Sequence, residues 1–259
     1  MAAFAEGTPC WVDAALPDLE AGKRFYGELF EWTFGESAGP EYGHYTQAYN
    51  EGRNVGALAA KTDGRMPTVW NVYFAVRDAR ATSVRIQEAG GQVITAPMPV
   101  GAYGTTALAV DPGGAVFGLW QAGSHQGFEL QQKPNSFCWT EVYTRERDAV
   151  DSFYARVFGY LPDDRDDAGL DYRAWSPAGS DPTPDTAIAG RAVLTGAFPE
   201  ALPAHFLVYF AVPDCDAAVA TVRRLGGRVT AEPFDTPHGR IAVVADNQGA
   251  AFALLSEPA

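Results

Sequence analysis

Basic residues, cysteine and histidine are all scarce in this chain, and each shortage removes a class of function. Nineteen Lys and Arg stand against 32 Asp and Glu, for a formal net charge of −13. A surface of that sign repels phosphate backbones and anionic lipid, so neither nucleic acid nor a membrane is expected as a partner. The three cysteines, Cys10, Cys138 and Cys215, are far apart and form no CxxC pair, which argues against a zinc knuckle or a disulfide framework and suits a reducing cytoplasm. None of the four histidines, His44, His125, His205 and His238, has a second at metal-ligand spacing. No apolar run approaches the ~18 residues of a membrane span. The first residues, MAAFAEG, carry no basic segment followed by an apolar one, so no secretory leader is expected. No GxGxxG follows a strand, and the Gly101–Gly104 stretch is too short to cradle phosphate.

What is present is a duplication. Cys10-Trp11 returns as Cys138-Trp139 and Phe25-Tyr26 as Phe153-Tyr154, both at an offset of 128. Val72-Tyr73-Phe74-Ala75-Val76 returns as Val208-Tyr209-Phe210-Ala211-Val212, and Gly90-Gly91 as Gly226-Gly227, both at an offset of 136. At 259 residues with 47% hydrophobic content, the chain has room for two cores. The polar stretch 121–136 reads as the connector, with Lys133 and Pro134 exposed. The division expected is residues 1–123, a linker at 124–136, and residues 137–259.

Each copy divides again. A strand (Cys10–Leu16, Cys138–Thr144) leads to a helix with a 3.6-residue apolar stripe. The stripe is Gly22, Phe25, Tyr26, Leu29 and Phe30 in the first copy, and Val150, Phe153, Tyr154, Val157 and Phe158 in the second. A mid-copy strand (Val69–Val76, Phe206–Val212) leads to another helix that stops at a Gly-Gly pair. In these strands one face is wholly apolar (Trp70, Val72, Phe74, Val76; Phe206, Val208, Phe210, Val212) and the other is mixed. Helices should therefore cover one side, leaving the mixed side for a ligand. The fold class expected is α+β: four βαβββ modules in two domains, each an eight-stranded, U-shaped mixed sheet with helices outside.

The run Leu16-Pro17-Asp18…Phe25-Tyr26…Leu29-Phe30, the segment Phe74-Ala75-Val76-Arg77-Asp78…Gly90-Gly91 and the turn Asp111-Pro112-Gly113-Gly114 resemble the modules of the vicinal-oxygen-chelate superfamily. That superfamily comprises glyoxalases, bleomycin-resistance proteins and extradiol dioxygenases. The elements recur at Phe210…Asp214…Gly226-Gly227 and at Asp246-Asn247-Gln248-Gly249, so the resemblance covers nearly the whole chain. It is nearest to two-domain actinobacterial members described as glyoxalase-like proteins or hydroxylases. The resemblance implies a metal held by inward His, Gln or Glu side chains. The corresponding positions here are Trp11, Asn71, Gly118, Trp139, Leu207 and Ala253, and the only charged group on the remaining candidate strands is Arg191. No metal site and no cofactor are therefore expected.

On the mixed faces, parity places Trp11, Asp13, Asn71, Tyr73 and Trp120 inward in the first half, and Trp139, Glu141, Tyr143, His205 and Tyr209 in the second. Tyr103 and His238 each precede the glycine that opens a late strand, and His44 is expected in a tyrosine-rich strand with Tyr42, Tyr45 and Tyr49. Aromatic walls with a few polar groups characterise small-molecule sites. Asp13 and Glu141 are the candidate acid–base residues, since a carboxylate among tryptophans is desolvated. The other reading of each is a carboxylate paired or facing water. Trp11, Asn71, Tyr73, Tyr103, Trp120, His44, Trp139, Tyr209 and His238 are candidate ligand contacts. Two functions stay open: binding and sequestration of a small apolar or aromatic metabolite by a monomer or homodimer, or an enzyme of small-molecule metabolism, either by metal-free acid–base chemistry through Asp13 or Glu141 or, as the resemblance implies, as a lyase or oxygenase of the hydroxylase type. The first cleft, with Asn71 and Trp120 where the second has Leu207 and Leu255, is expected to be the working one.

Overall fold

The computed structural model describes residues 4–167 and 170–257. The first half runs β1 (Pro9–Leu16), α1 (Leu19–Phe30), β2 (Thr33–Phe34), β3 (Thr46–Asn50), β4 (Arg53–Ala60), β5 (Trp70–Ala75), α2 (Ala79–Glu88), β6 (Gln92–Val100), β7 (Gly104–Val110) and β8 (Val116–Ala122). The second half repeats it with β9 (Ser136–Thr144), α3 (Arg147–Phe158), β10 (Leu161–Asp167), β11 (Leu170–Ser176), β12 (Ala189–Val193), β13 (His205–Ala211), α4 (Cys215–Arg224), β14 (Arg228–Thr236), β15 (Gly239–Ala245) and β16 (Ala251–Ser256). These form two eight-stranded mixed sheets, ordered β2-β3-β4-β1-β5-β8-β7-β6 and β10-β11-β12-β9-β13-β16-β15-β14. Each opening strand pairs in parallel with the last strand of its module, as β1 does with β4 and β5 with β8; the hairpins are antiparallel.

The helices form where the sequence says they should. Asp18, Asp78 and Asp214 each cap a helix by accepting from a backbone N–H of its first turn. The buried faces of α1 and α3 are the two five-residue stripes read from periodicity. Cys10, Val12, Ala14 and Leu16 lie buried on one parity of β1, and all three cysteines are buried free thiols. Burial pushes the Cys138 thiol up to about 12 and the Cys215 thiol up to about 11, so neither is a ready nucleophile.

Compactness groups the chain differently from the sheets. One unit comprises residues 1–11, 72–127 and 140–206, and the other 12–71, 128–139 and 207–259. Within the first, Phe74 and Phe117 pack against Phe158 and Phe206. Tyr154 of α3 donates to Asp111 Oδ2 at 3.2 Å. Within the second, Phe30, Trp32 and Trp70 pack on Phe210. There Tyr26 of α1 donates to Asp246 Oδ2 at 2.9 Å and accepts from Trp70 Nε1 at 2.9 Å. Lys133 and Pro134 are exposed, whereas Phe128 and Leu130 are buried, and the Asn135 carbonyl accepts from Trp32 Nε1 at 2.8 Å. No helix among the described residues is long and apolar enough to cross a membrane.

Asp111 is 3% exposed, and burial raises its pKa above the ordinary 3.8, opposed by donation from Ala115 N–H and Tyr154. A carboxylate whose pKa is raised on folding costs stability once ionised, so the cost appears as pH climbs through the raised value. Tyr154→Phe strands one carboxylate oxygen and raises that pKa further. The expected loss is about 1–3 kcal/mol at neutral pH. It should shrink as pH falls toward 3.8, as read from urea midpoints across the acid range.

Candidate small-molecule site

In the second compact unit, the parity of β1 opposite to its helix-covered face carries Asp13, which is 8% exposed. Its Oδ2 accepts from Tyr45 O–H at 3.1 Å and its Oδ1 from Asn71 Nδ2 at 2.9 Å. Asp13 pairs in register with Ala57, and β4 lies between β3 and β1. Tyr45, immediately before β3, therefore reaches Asp13 by crossing β4, whose small Ala57 and Ala59 leave room for the ring. Along β3, Thr46, Ala48 and Asn50 are buried while Gln47 and Tyr49 are half-buried. Gln47 Oε1 accepts from Tyr49 O–H and from Asn54 Nδ2, each at 2.9 Å. Asn54 is itself buried, held by donation from its N–H to Glu129 Oε2 at 2.8 Å.

The first compact unit holds an aromatic group. Trp11 meets His125 edge-on with ring centroids 4.4 Å apart, and Trp120 lies 5.6 Å from the same imidazole and donates from Nε1 to the His125 carbonyl. Tyr73 lies over Gly118: a Cβ added there would meet the ring at 2.1 Å. Glu141, 5% exposed, pairs in register with Gly190, over which the Tyr172 hydroxyl sits. Tyr172 pairs with Ala192, two residues beyond Gly190, so it stands on β11 where Tyr45 stands beside β3. Tyr143 stacks on His205 with centroids 5.3 Å apart. Arg191 faces the other way, 1% exposed and bonded to Asp151 and Asp171, and belongs to the helix-side packing.

Among the sequence candidates, the structure brings Asp13 and Asn71 together, and Trp11 and Trp120 around His125. In the second compact unit, Tyr209 is 5% and Leu207 3% exposed, while Trp139 is half-buried. His44, Tyr103 and His238 occupy exposed turns: His44 has a left-handed φ of 53°, Tyr103 is 55% exposed, and the His238 N–H donates to Thr236. Sequence reasoning missed Tyr45, Gln47, Asn54, His125 and Tyr172. Alternation in Tyr45, Gln47 and Tyr49 is the signal that points to the first two.

The donor set does not fit the divalent cation that the resemblance implies. Trp11, Asn71, Gly118, Trp139, Leu207 and Ala253 offer one weak amide oxygen among them. Among the described residues no three His, Cys, Asp or Glu side chains are grouped to hold a metal ion. At residue 118 the ring of Tyr73 takes the space a projecting ligand would need, so Gly118→Ala should cost about 1–3 kcal/mol through overpacking. A chemical-denaturation midpoint unchanged from the parent protein would show that the ring moves aside freely.

Comparison with known proteins places the chain. Residues 11–119 match the Glyoxalase/Bleomycin resistance protein/Dioxygenase superfamily and residues 139–255 a glyoxalase-like domain. The anthracycline biosynthesis protein DnrV of Streptomyces peucetius is 37% identical, covering 98% of this chain and 95% of that protein. A Mycobacterium tuberculosis (strain CDC 1551 / Oshkosh) protein named as a candidate glyoxylase, CFP32, is 36% identical over 97% of this chain and 95% of that one. In fold, the Mn(II)-bound glyoxalase from Novosphingobium aromaticivorans aligns with a TM-score of 0.65 at 15% identity, over 99% of this chain and 84% of that one. The 2,2',3-trihydroxybiphenyl 1,2-dioxygenase of Sphingomonas wittichii strain RW1 aligns with a TM-score of 0.62 at 13% identity, over 97% and 91%. The chain therefore belongs to the glyoxalase/bleomycin resistance protein/dioxygenase superfamily.

Proposed function

We propose that this protein binds a small, largely aromatic organic molecule against the sheet faces left bare by the helices, in a binding or sequestering role. The observation that carries this reading is the Asp13 carboxylate, nearly buried and oriented by Tyr45 and Asn71 on the non-helix face of β1. Its donors offset the cost of burying it, and they hold a carboxylate ready on a face that no helix packs against. Half-buried aromatic and amide side chains supply the apolar area and the few directed polar contacts of a ligand site. Relatives named for anthracycline biosynthesis support a small-molecule role in metabolism.

A second reading is acid–base catalysis. It is favoured by the Tyr45–Asp13 hydrogen bond, which joins a phenol to a carboxylate at 3.1 Å. In that arrangement Asp13 takes a proton from bound substrate, and Tyr45 holds the carboxylate oxygen in place. Neither reading routes a step through a metal ion.

Tryptophan-fluorescence titration against a panel of small aromatic compounds tests the reading. Asp13→Asn preserves shape and should weaken binding by roughly tenfold, the worth of one charge-assisted hydrogen bond; that loss with an unchanged melting temperature assigns Asp13 a functional role, and loss of folding assigns it a structural one. Glu141→Gln should have the smaller effect, because Leu207 stands where Asn71 supports Asp13. If Glu141→Gln abolishes binding while Asp13→Asn leaves it intact, the second half holds the working site. Turnover of a bound compound that Asp13→Asn eliminates without changing affinity would favour catalysis.

A further inference from the structure

Gln47, Ala57 and Asp13 form one row across β3, β4 and β1: Gln47 pairs with Ala57, and Ala57 with Asp13. The two ends lie two strand spacings apart, roughly 10 Å between Cα atoms. All three residues, with Tyr45, Tyr49, Asn54 and Asn71, belong to the second compact unit. Between the two ends β4 presents the small Ala57, and the Tyr45 hydroxyl reaches Asp13 from the far side of that strand.

The ends have opposite hydrogen-bonding character. Asp13 is an acceptor, fixed by two donors. At the other end, Tyr49 and Asn54 both donate to Gln47 Oε1, which leaves Nε2 as the donor end of the amide. Among the described residues nothing accepts from that Nε2. Behind it, Asn54 is 7% exposed and its Oδ1 has no partner, so the amide network is incomplete as it stands. A buried carbonyl left unsatisfied is the mark of a polar network arranged for something other than stability.

We propose that this row selects a planar aromatic ligand bearing a hydroxyl at one end and a carbonyl oxygen at the other. The hydroxyl donates to Asp13, the ring system lies on Tyr45, and the carbonyl accepts from Gln47 Nε2. Gln47 is then a specificity-determining residue. The proposal rests on the small-molecule reading above and adds the ligand's polar pattern to it.

The test uses three fluorescent or quenching probes on the full chain at about pH 6, where phenols are un-ionised. They are 7-hydroxycoumarin with both groups, coumarin with only the carbonyl, and 2-naphthol with only the hydroxyl. The parent protein should bind 7-hydroxycoumarin roughly tenfold more tightly than either partial probe. Gln47→Leu should erase the margin over 2-naphthol and keep the margin over coumarin, and Asp13→Asn should do the reverse. If Gln47→Leu does not fold, Gln47→Glu, which replaces the donor with an acceptor at the same length, should lose the same margin. Equal binding of all three probes, or a margin over 2-naphthol that survives loss of the Gln47 amide, overturns the polar row while leaving aromatic binding intact. Binding of none of the three removes the small-molecule reading itself, and this proposal with it.

Discussion

Two buried tyrosine–aspartate hydrogen bonds hold the helical cores in register. Tyr26 of α1 reaches Asp246, 220 residues away, and Tyr154 of α3 reaches Asp111. Each aspartate closes a tight turn with its other oxygen, Asp246 accepting from Gln248 and Ala250 N–H and Asp111 from Ala115 N–H. One carboxylate thus fixes both a hairpin turn and the position of a helix from a different module. Bonds of this kind add little net stability when made and cost heavily when half-made. Their main effect is on which module packs with which. A Phe-Tyr helix seated against the wrong turn would bury an acid without its donor.

That constraint acts on the helix side of the sheets and leaves the opposite faces free to differ. The duplicated strands show how far they have diverged at equivalent positions. Asp13 and Glu141 keep a carboxylate, and Tyr45 and Tyr172 keep a phenol at the same register. Around them, Asn71 is matched by Leu207, Gln47 by Ala174 and Trp120 by Leu255. The first half has therefore retained amides beside its acid where the second has aliphatic side chains. A carboxylate with directed donors is a recognition element, and in the first half the Asn71 amide supplies one of them.

Much of this was legible in the sequence because it depends on spacing along one element. The stripes of α1 and α3 and the apolar faces of the mid-copy strands all follow from 3.6- or two-residue periods. What was not legible depends on pairing between distant elements. Two Phe-Tyr helices and two closing turns allow either assignment of tyrosine to aspartate, and alternation contains no information to choose. The Tyr45–Asp13 bond likewise requires knowing that β4 separates their strands and that its residues there are alanines. His125 lies in a polar stretch that reads as connector, yet its ring is gripped by Trp11 and Trp120. Tryptophans at both ends of that contact were visible; the return of the chain between them was not.

The departure from a metal site has a steric side as well as a chemical one. In each half a tyrosine overlies a glycine on the ligand face: Tyr73 on Gly118, and Tyr172 on Gly190. A Cβ at either glycine would come within 2.1 Å of the overlying side chain. A carboxylate ligand at residue 118 therefore cannot be restored by one substitution, because the ring must first leave. The aromatic residue and the missing side chain are one coupled change, and non-additivity is expected between neighbours that share the same space. With that exchange made at residue 118, the polar groups on these faces include the Asp13 and Glu141 carboxylates and, beside Asp13, the Asn71 amide. Chemistry or recognition at these faces must begin from hydrogen bonding by those groups, which is why substitutions there, and not metal loading, discriminate among the functions open to this fold.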